Sequence, residues 1–175
     1  MTYIALYVDD LLIISENDDD LVNVKRRLTE KFEMKNLSVA KKFLEIEIEY
    51  NDDDSIKLHQ NQYIQKLLKR HDMQNCNSVS TLIDTSIKLI KMTNVKIMMN
   101  SKKYQFIVKN LIFAAIITRS NIICTIEQLS QFNSNSSSKH LLAAKRVLRY
   151  FKNMSKLSIT YSSSVTHLVD YSNAD

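Results

Sequence analysis

At 175 residues, with 45% hydrophobic and 25% charged side chains, the chain has a globular composition and room for one domain or two small lobes. Its net charge of +5 and pI near 9.1 allow a nucleic-acid partner without requiring one. Cys76 and Cys124 stand far apart without ligand-like spacing, which argues against a disulfide or metal framework and for a reduced intracellular setting.

Residues 3–8 and 11–15 predict two apolar strands interrupted only by Asp9-Asp10, which is hairpin spacing. No signal peptide is expected ahead of the first strand. The run Ile4–Ile14 is too short and too charged to span a bilayer, so no membrane partner is expected either. "ENDDDLVNVKRRLTEKFEM" predicts a helix with an acidic start and an apolar row of Leu21, Val24, Leu28 and Phe32. "KFLEIEIEY" alternates as a half-buried strand, "NDDDS" is a turn and "IKLHQ" the returning strand. "NQYIQKLLKRHDM" predicts a short amphipathic helix with Ile64, Leu67 and Leu68 on one face. Residues 75–103 are polar and mixed, a linker by composition. Three helices follow in "YQFIVKNLIFAAIITRS", "NIICTIEQLSQF" and "SSKHLLAAKRVLRYFKN", and then two strands, "LSITYSSS" and "THLVDYSNAD".

The chain has no Gly, no Pro and no Trp, where average usage would give about a dozen Gly and nine Pro. Turns ordinarily recruit Gly for positive φ and Pro for a preset φ. Asn, Ile and Lys, which have AT-rich codons, are abundant instead. The pattern reads as mutational bias and predicts weakened turns.

Asp9 and Asp10 are the foremost candidates for chemistry. A buried ionised carboxylate is costly, so a pair inside an apolar run belongs at an exposed turn or on a cation. At a hairpin tip both could serve a pair of Mg²⁺ ions bridging substrate phosphates in phosphoryl transfer. A solvated acidic turn is the equal alternative on those letters alone. The triplets Asp18–Asp20 and Asp52–Asp54 read as a helix start and a turn, since neither has the spacing of a calcium loop. Lys66, Lys69 and Arg70, and further on Lys145, Arg146 and Arg149, form basic helix faces suited to a phosphate backbone or simply to solvent. His59, His71, His140 and His167 share no ligand spacing.

Taken in order, "LYVDDLLIIS", "KFEMKNL", "AKKFLEIEIE", "IKLHQNQYIQKLLKR", "MQNCNSVST", "TRSNI", "QLSQF", "KHLLAAKRVLRY" and "YSNAD" resemble copia-type LTR retrotransposon polyproteins over essentially the whole chain. The resemblance is to the C-terminal part of the reverse transcriptase. It implies an α+β fold: a partial palm with the catalytic hairpin, its helix and a second hairpin, then a helical connection region and the start of a ribonuclease H-like sheet. The implied boundaries are 1–74 for partial palm and thumb, 75–103 for a linker, 104–155 for the connection region and 156–175 for the ribonuclease H-like start.

The implied activity is RNA-directed DNA polymerisation with Mg²⁺ held by Asp9 and Asp10. Tyr7, Val8, Phe43 and Leu44 would contact the primer–template. The implied partners are an RNA–DNA hybrid or primer–template and the rest of the Pol polyprotein, in a cytoplasmic particle or the nucleus. Asn173 stands where the first ribonuclease H carboxylate is expected, with Asp175 just beyond it. The family has Gly at positions held here by Ser38, Glu45, Lys109, Asn153, Ser158 and Asp170, and Pro at Ser78, Leu82, Ser120 and Ser136. All these changes are reachable by C→T and G→A transitions, as in a decayed copy. The third palm carboxylate and the fingers are expected upstream of Met1, so these residues alone are expected to be inactive. The alternatives are a non-catalytic nucleic-acid-binding remnant and a functionless relic.

Overall fold

A computed structural model describes residues 1–84, 86–90 and 101–162. The chain is mixed α and β, with two small sheets and five α-helices among these residues. β1 (Thr2–Tyr7) and β2 (Asp10–Ser15) pair antiparallel and form a sheet of their own. Their register matches Leu6 with Leu11 and Ile4 with Ile13. Tyr7 pairs with Asp10, so the turn is Val8-Asp9, one residue earlier than the expected Asp9-Asp10. The far end favours this register: Thr2 and Ser15 are partners whose hydroxyls hydrogen-bond at 2.9 Å, and the Met1 ammonium meets Glu16 at 3.0 Å.

α1 (Asp18–Thr29) starts where Asn17 accepts a hydrogen bond from the Asp19 amide at 3.0 Å, with Asp18, Asp19 and Asp20 at the positive end of the helix dipole. It stops at Thr29, three residues before Phe32, which is 60% exposed rather than part of an apolar row. No residue of α1 is buried.

The second sheet runs β3 (Lys42–Phe43), β4 (Ile46–Tyr50), β5 (Ile56–His59) and β6 (Ile159–Tyr161), each antiparallel to its neighbour. The stretch expected to be one strand from Phe43 to Tyr50 is therefore a hairpin. Phe43 pairs with Ile46 across Leu44-Glu45, and Leu44 takes a positive φ of 56° to make the turn. β6 matches Ile159 with Leu58 and Tyr161 with Ile56, covering the free edge of β5, while most of the ribonuclease H-like start expected over 156–175 lies outside the described residues. The second terminal strand expected from "THLVDYSNAD" lies outside the described residues, as do Asn173 and Asp175.

α2 (Asn61–Arg70) ends in a Schellman motif: the Met73 amide donates to Leu68 O at 2.8 Å while Asp72 adopts φ 56°. Aspartate tolerates that left-handed conformation better than most residues, so the helix stops without glycine. α3 (Ser101–Ile117) begins three residues ahead of the expected Tyr104, which brings Lys102 and Lys103 into the helix. A 3₁₀ turn (Ser120–Ile122), α4 (Ile123–Ser130) and α5 (Ser138–Asn153) follow, ahead of β6.

The core lies among these helices. Ile64 and Leu68 of α2 share one cluster with Ile107 and Leu111 of α3 and with Leu148 and Phe151 of α5. The burial spacing on α3, Tyr104, Ile107, Val108, Leu111, Ala114 and Ala115, is a helical apolar stripe. Residues 74–84 then cross α5 as a strap. Arg149 Nε donates to Asn77 O at 2.6 Å, and Lys152 Nζ to the carbonyls of Gln74 at 2.5 Å and Cys76 at 2.9 Å.

Candidate metal centre and basic helical face

The hairpin tip is built by chain reversal over two residues. φ is positive at Val8, 51°, and not at Asp9, the pattern of a type II′ turn, whose first central position ordinarily holds glycine. A β-branched residue there is strained, of the order of 1–3 kcal/mol for an unfavourable backbone region. Tyr7 and Val8 are 59% and 78% exposed. Asp9 and Asp10 are exposed too, one on the turn and one opening β2, and their carboxylates make no hydrogen bond or ion pair among the described residues.

The tip thus offers two free carboxylates beside an aromatic ring. No group of three or more His, Cys, Asp or Glu suited to a metal occurs among the described residues. Phe43 and Leu44 sit half-buried at the β3–β4 turn, in the other sheet from the carboxylates.

The predicted basic residues divide into two groups. Lys66 is tied to Glu45, 3.1 Å from both carboxylate oxygens. Arg146 reaches Asp84 Oδ2 at 3.3 Å and Thr81 Oγ1 at 2.8 Å, and Arg149 holds the strap. These three are occupied within the chain. Lys69 and Lys145 have no such partner among the described residues, and Arg70 lies with its Cζ 5.4 Å from the Phe106 ring centroid.

Sequence reasoning missed the buried polar groups between the helices. His71 is 5% exposed, caps α2 and lies 5.7 Å from the Phe106 ring. Burial holds its imidazole below the ordinary value, and the charges of Lys103, Arg70 and Lys145 push the same way against Asp72. His140 Nδ1 accepts from the Ser137 amide at 2.9 Å, a capping box that fixes the start of α5, and its ring stacks on Phe132 at 4.1 Å. Burial holds this imidazole low too.

Arg119 is 1% exposed with no carboxylate partner among the described residues; its Nη2 donates to the Met154 and Ser155 carbonyls at the C-terminal end of α5. Only the loss of solvent distinguishes these groups, and no local spacing announces it. Lys103 could have been found by extending the apolar period of α3 back by one turn.

Residues 2–85 match the family model described as reverse transcriptase (RNA-dependent DNA polymerase). The chain is 31% identical over 178 residues to the retrovirus-related Pol polyprotein from transposon TNT 1-94 of Nicotiana tabacum, covering 98% of this chain and 13% of that protein. It is 32% identical over 176 residues to the corresponding polyprotein from transposon RE1 of Arabidopsis thaliana, covering 100% of this chain and 12% of that protein. The chain belongs to the copia-type retrotransposon Pol family.

A transposon Ty5-1 protein of Saccharomyces cerevisiae is 32% identical over 161 residues, covering 92% of this chain and 52% of that protein. The chain thus spans about half of that relative and a small fraction of the plant Pol polyproteins. No solved structure matches it. Within the family match, Tyr7-Val8-Asp9-Asp10 occupy the hairpin tip and Phe43-Leu44 lead into the turn between β3 and β4, whereas α3, α4 and α5 lie beyond residue 85.

Proposed function

We propose that the chain supplies the catalytic hairpin and the following helical portion of an RNA-directed DNA polymerase, with Asp9 and Asp10 as two of its metal-binding carboxylates. The observation that carries this reading is Tyr-Val-Asp-Asp at a two-residue hairpin tip within the reverse transcriptase match. Mg²⁺ is commonly held by one or two carboxylates and completes its shell with water and phosphate oxygens, so two exposed, unpaired carboxylates fit as part of its ligand set. Bound there, the ion would neutralise charge on the phosphates of an incoming nucleotide. Tyr7 and Val8 would flank the primer end, with Phe43 and Leu44 as further primer–template contacts.

The hairpin's exposed apolar side chains, Leu6 at 72% and Ile4 at 51%, suit a palm sheet continued by other parts of a Pol polyprotein. A third carboxylate would come from there, because the described residues hold no metal-ligating group of three. The 175 residues alone are therefore expected to be inactive. The test is primer extension on an RNA template with Mg²⁺, using the chain alone and the chain joined to an upstream palm segment, each beside Asp9→Asn. Extension is expected from the joined form only and is lost in Asp9→Asn. Extension by the chain alone would overturn the inactivity, and extension indifferent to Asp9 would overturn the site.

A second reading, nucleic-acid binding without catalysis, is favoured by one observation: α2, α3 and α5 contain no acidic residue. Salt-dependent binding to an RNA–DNA hybrid by the chain alone would support it.

A further inference from the structure

The strap and the residues that follow it do not lie flat on α4 and α5. Leu82 and Leu89 pack against the helical core, and between them the chain turns, the Ile87 amide donating to Asp84 O at 3.0 Å. Asp84 Oδ1 braces the turn, accepting from the Ser86 amide at 3.1 Å and from the Ser86 hydroxyl at 2.6 Å. A segment docked at two points and turned between them leaves space against the helices. That space is a cavity of about 230 Å³, lined by Leu82, Ile83 and Leu89 from this segment, by Leu129 of α4 and by Ala143 of α5.

The charged groups around it do not balance. Asp84 and Arg146 both line the cavity and pair with each other, Nη1 to Oδ2 at 3.3 Å. The Ser86 hydrogen bonds hold the Asp84 carboxyl below its ordinary value, so it stays ionised and neutralises Arg146. Arg149 also lines the cavity, and it holds the strap through Nε alone, at 2.6 Å from Asn77 O. One acid against two bases leaves a single positive charge in excess. Arg146 Nε, moreover, is a buried donor with no hydrogen-bond partner among the described residues. Such a donor is costly until an acceptor meets it, and an anionic oxygen is the strongest acceptor a guanidinium can have.

Walls of leucine, isoleucine and alanine call for an apolar group. An apolar cavity of about 150 Å³ admits benzene, so this one takes a ring with a short chain. It is smaller than the pockets of drug-sized ligands, and its volume suits one small molecule rather than a length of peptide. The two arginines disfavour a cation, and a neutral compound leaves the excess charge unanswered. We propose that the cavity binds a small apolar carboxylate, its ring or branched alkyl group against Leu82, Leu129 and Ala143 and its carboxylate at Arg149. The site is distinct from the Asp9-Asp10 hairpin and stands without the polymerase reading.

The experiment is methyl NMR on the full chain, labelled at Ile, Leu and Ala and titrated with phenylbutyrate, phenylbutanol and phenylbutylamine in parallel. The acid should give saturable shifts at Ile83, Leu129 and Ala143. Its dissociation constant should be on the order of 1 mM, as befits a ligand of about a dozen heavy atoms. The alcohol should bind about fivefold or more weakly, and the amine more weakly still. Arg149→Met should bring the acid down to the affinity of the alcohol. Arg149→Lys keeps the charge without the Nε bond to the strap, and should retain the preference for the acid.

Ala143→Leu fills the cavity and should abolish the shift at Ile83. Gln128, an exposed residue of α4 at the rim, gives a second blocking variant, Gln128→Trp, in case Ala143→Leu loses its melting transition. Shifts that fail to saturate, or that survive in a folded blocking variant, would overturn the cavity as the site. Equal affinities of the wild-type chain for acid and alcohol would overturn the carboxylate. Binding of acetyl-Ala-Ala-Phe through its free C-terminus about tenfold tighter than phenylbutyrate would overturn the commitment to a small molecule. Asp9-dependent extension is untouched by any of these results and decides the polymerase reading separately.

Discussion

In α3, Ile107, Val108 and Leu111 are fully buried, while in β1 Leu6 is 72% exposed and Ile4 51%. Both segments are rich in Ile, Leu and Tyr, so composition does not separate them. What differs is the layer beneath. α3 has α2, α4 and α5 to bury its stripe, whereas among the described residues the two-stranded hairpin packs chiefly against α1, itself without a buried residue. A lone two-stranded hairpin is marginal in water, while a helix packed on three others takes part in a cooperative core. The carboxylates proposed for catalysis thus sit on the part of the chain with least support of its own, and the cations proposed for nucleic-acid binding on the part with most.

The contrast is broken most directly through the core. Leu111→Ala removes a fully buried side chain and is expected to cost about 2–5 kcal/mol, read as a shift in the urea midpoint by circular dichroism. Leu6→Ala, on an exposed strand, should stay within about 0.5 kcal/mol. Similar costs for the two would mean that the hairpin shares the core.

A second test concerns a buried polar bond. Tyr104 Oη donates to Leu129 O at 2.6 Å and ties α3 to α4, and burial pushes the phenol well above its ordinary pKa. Tyr104→Phe keeps the ring and leaves that carbonyl without its donor, at about 1–1.5 kcal/mol. An unchanged midpoint would show that Leu129 O finds another partner.

Much of the helical region is legible in the sequence because the period of 3.6 needs neither Gly nor Pro. Ile64, Leu67 and Leu68 are buried as their spacing predicts; of the apolar residues Leu141, Leu142, Ala144, Val147, Leu148 and Phe151 on α5, the last four are buried while Leu142 is 60% exposed. The hairpin is legible as well, though its turn falls one residue early. Other features leave little local trace. The alternation from Phe43 to Tyr50 conceals a turn at Leu44-Glu45, where neither residue is a usual turn former. The strap is invisible because Arg149 and Lys152 bind backbone carbonyls, which every residue possesses. At the candidate site, the letters Tyr-Val-Asp-Asp are readable, but pairing of Lys66 with Glu45 and of Arg146 with Asp84 depends on distant segments meeting.

A smaller effect is expected where the resemblance places proline. Ser136 is 2% exposed and its hydroxyl has no hydrogen-bond partner among the described residues. A proline ring brings no such group, so an orphan hydroxyl is what a Pro-to-Ser change would leave behind. Ser136→Ala should stabilise the fold by about 1 kcal/mol through relief of the unsatisfied group. A loss of stability would argue that Ser136 fits its site and count against decay at this position. Among the glycine positions implied by the resemblance, Ser38 has a positive φ, 63°, while Lys109 and Asn153 lie inside helices. At Lys109 and Asn153 the backbone therefore makes no demand for glycine, whereas at Ser38 it does.

The smallest global effect, and the sharpest on the comparison, belongs to Val8→Gly. Glycine adopts the φ of 51° without the clash that Val8 suffers, a local relief of about 1–3 kcal/mol, partly offset by the entropy of a freer unfolded chain. If the hairpin opens independently of the helices, the gain belongs to that local opening alone. Amide exchange at Leu6 and Leu11 should then slow severalfold while the urea midpoint moves by less than about 0.5 kcal/mol. A midpoint rising by about 1 kcal/mol or more would mean that the tip is coupled to the helical core, and that strain at Val8 is borne by the whole chain rather than by its least supported sheet.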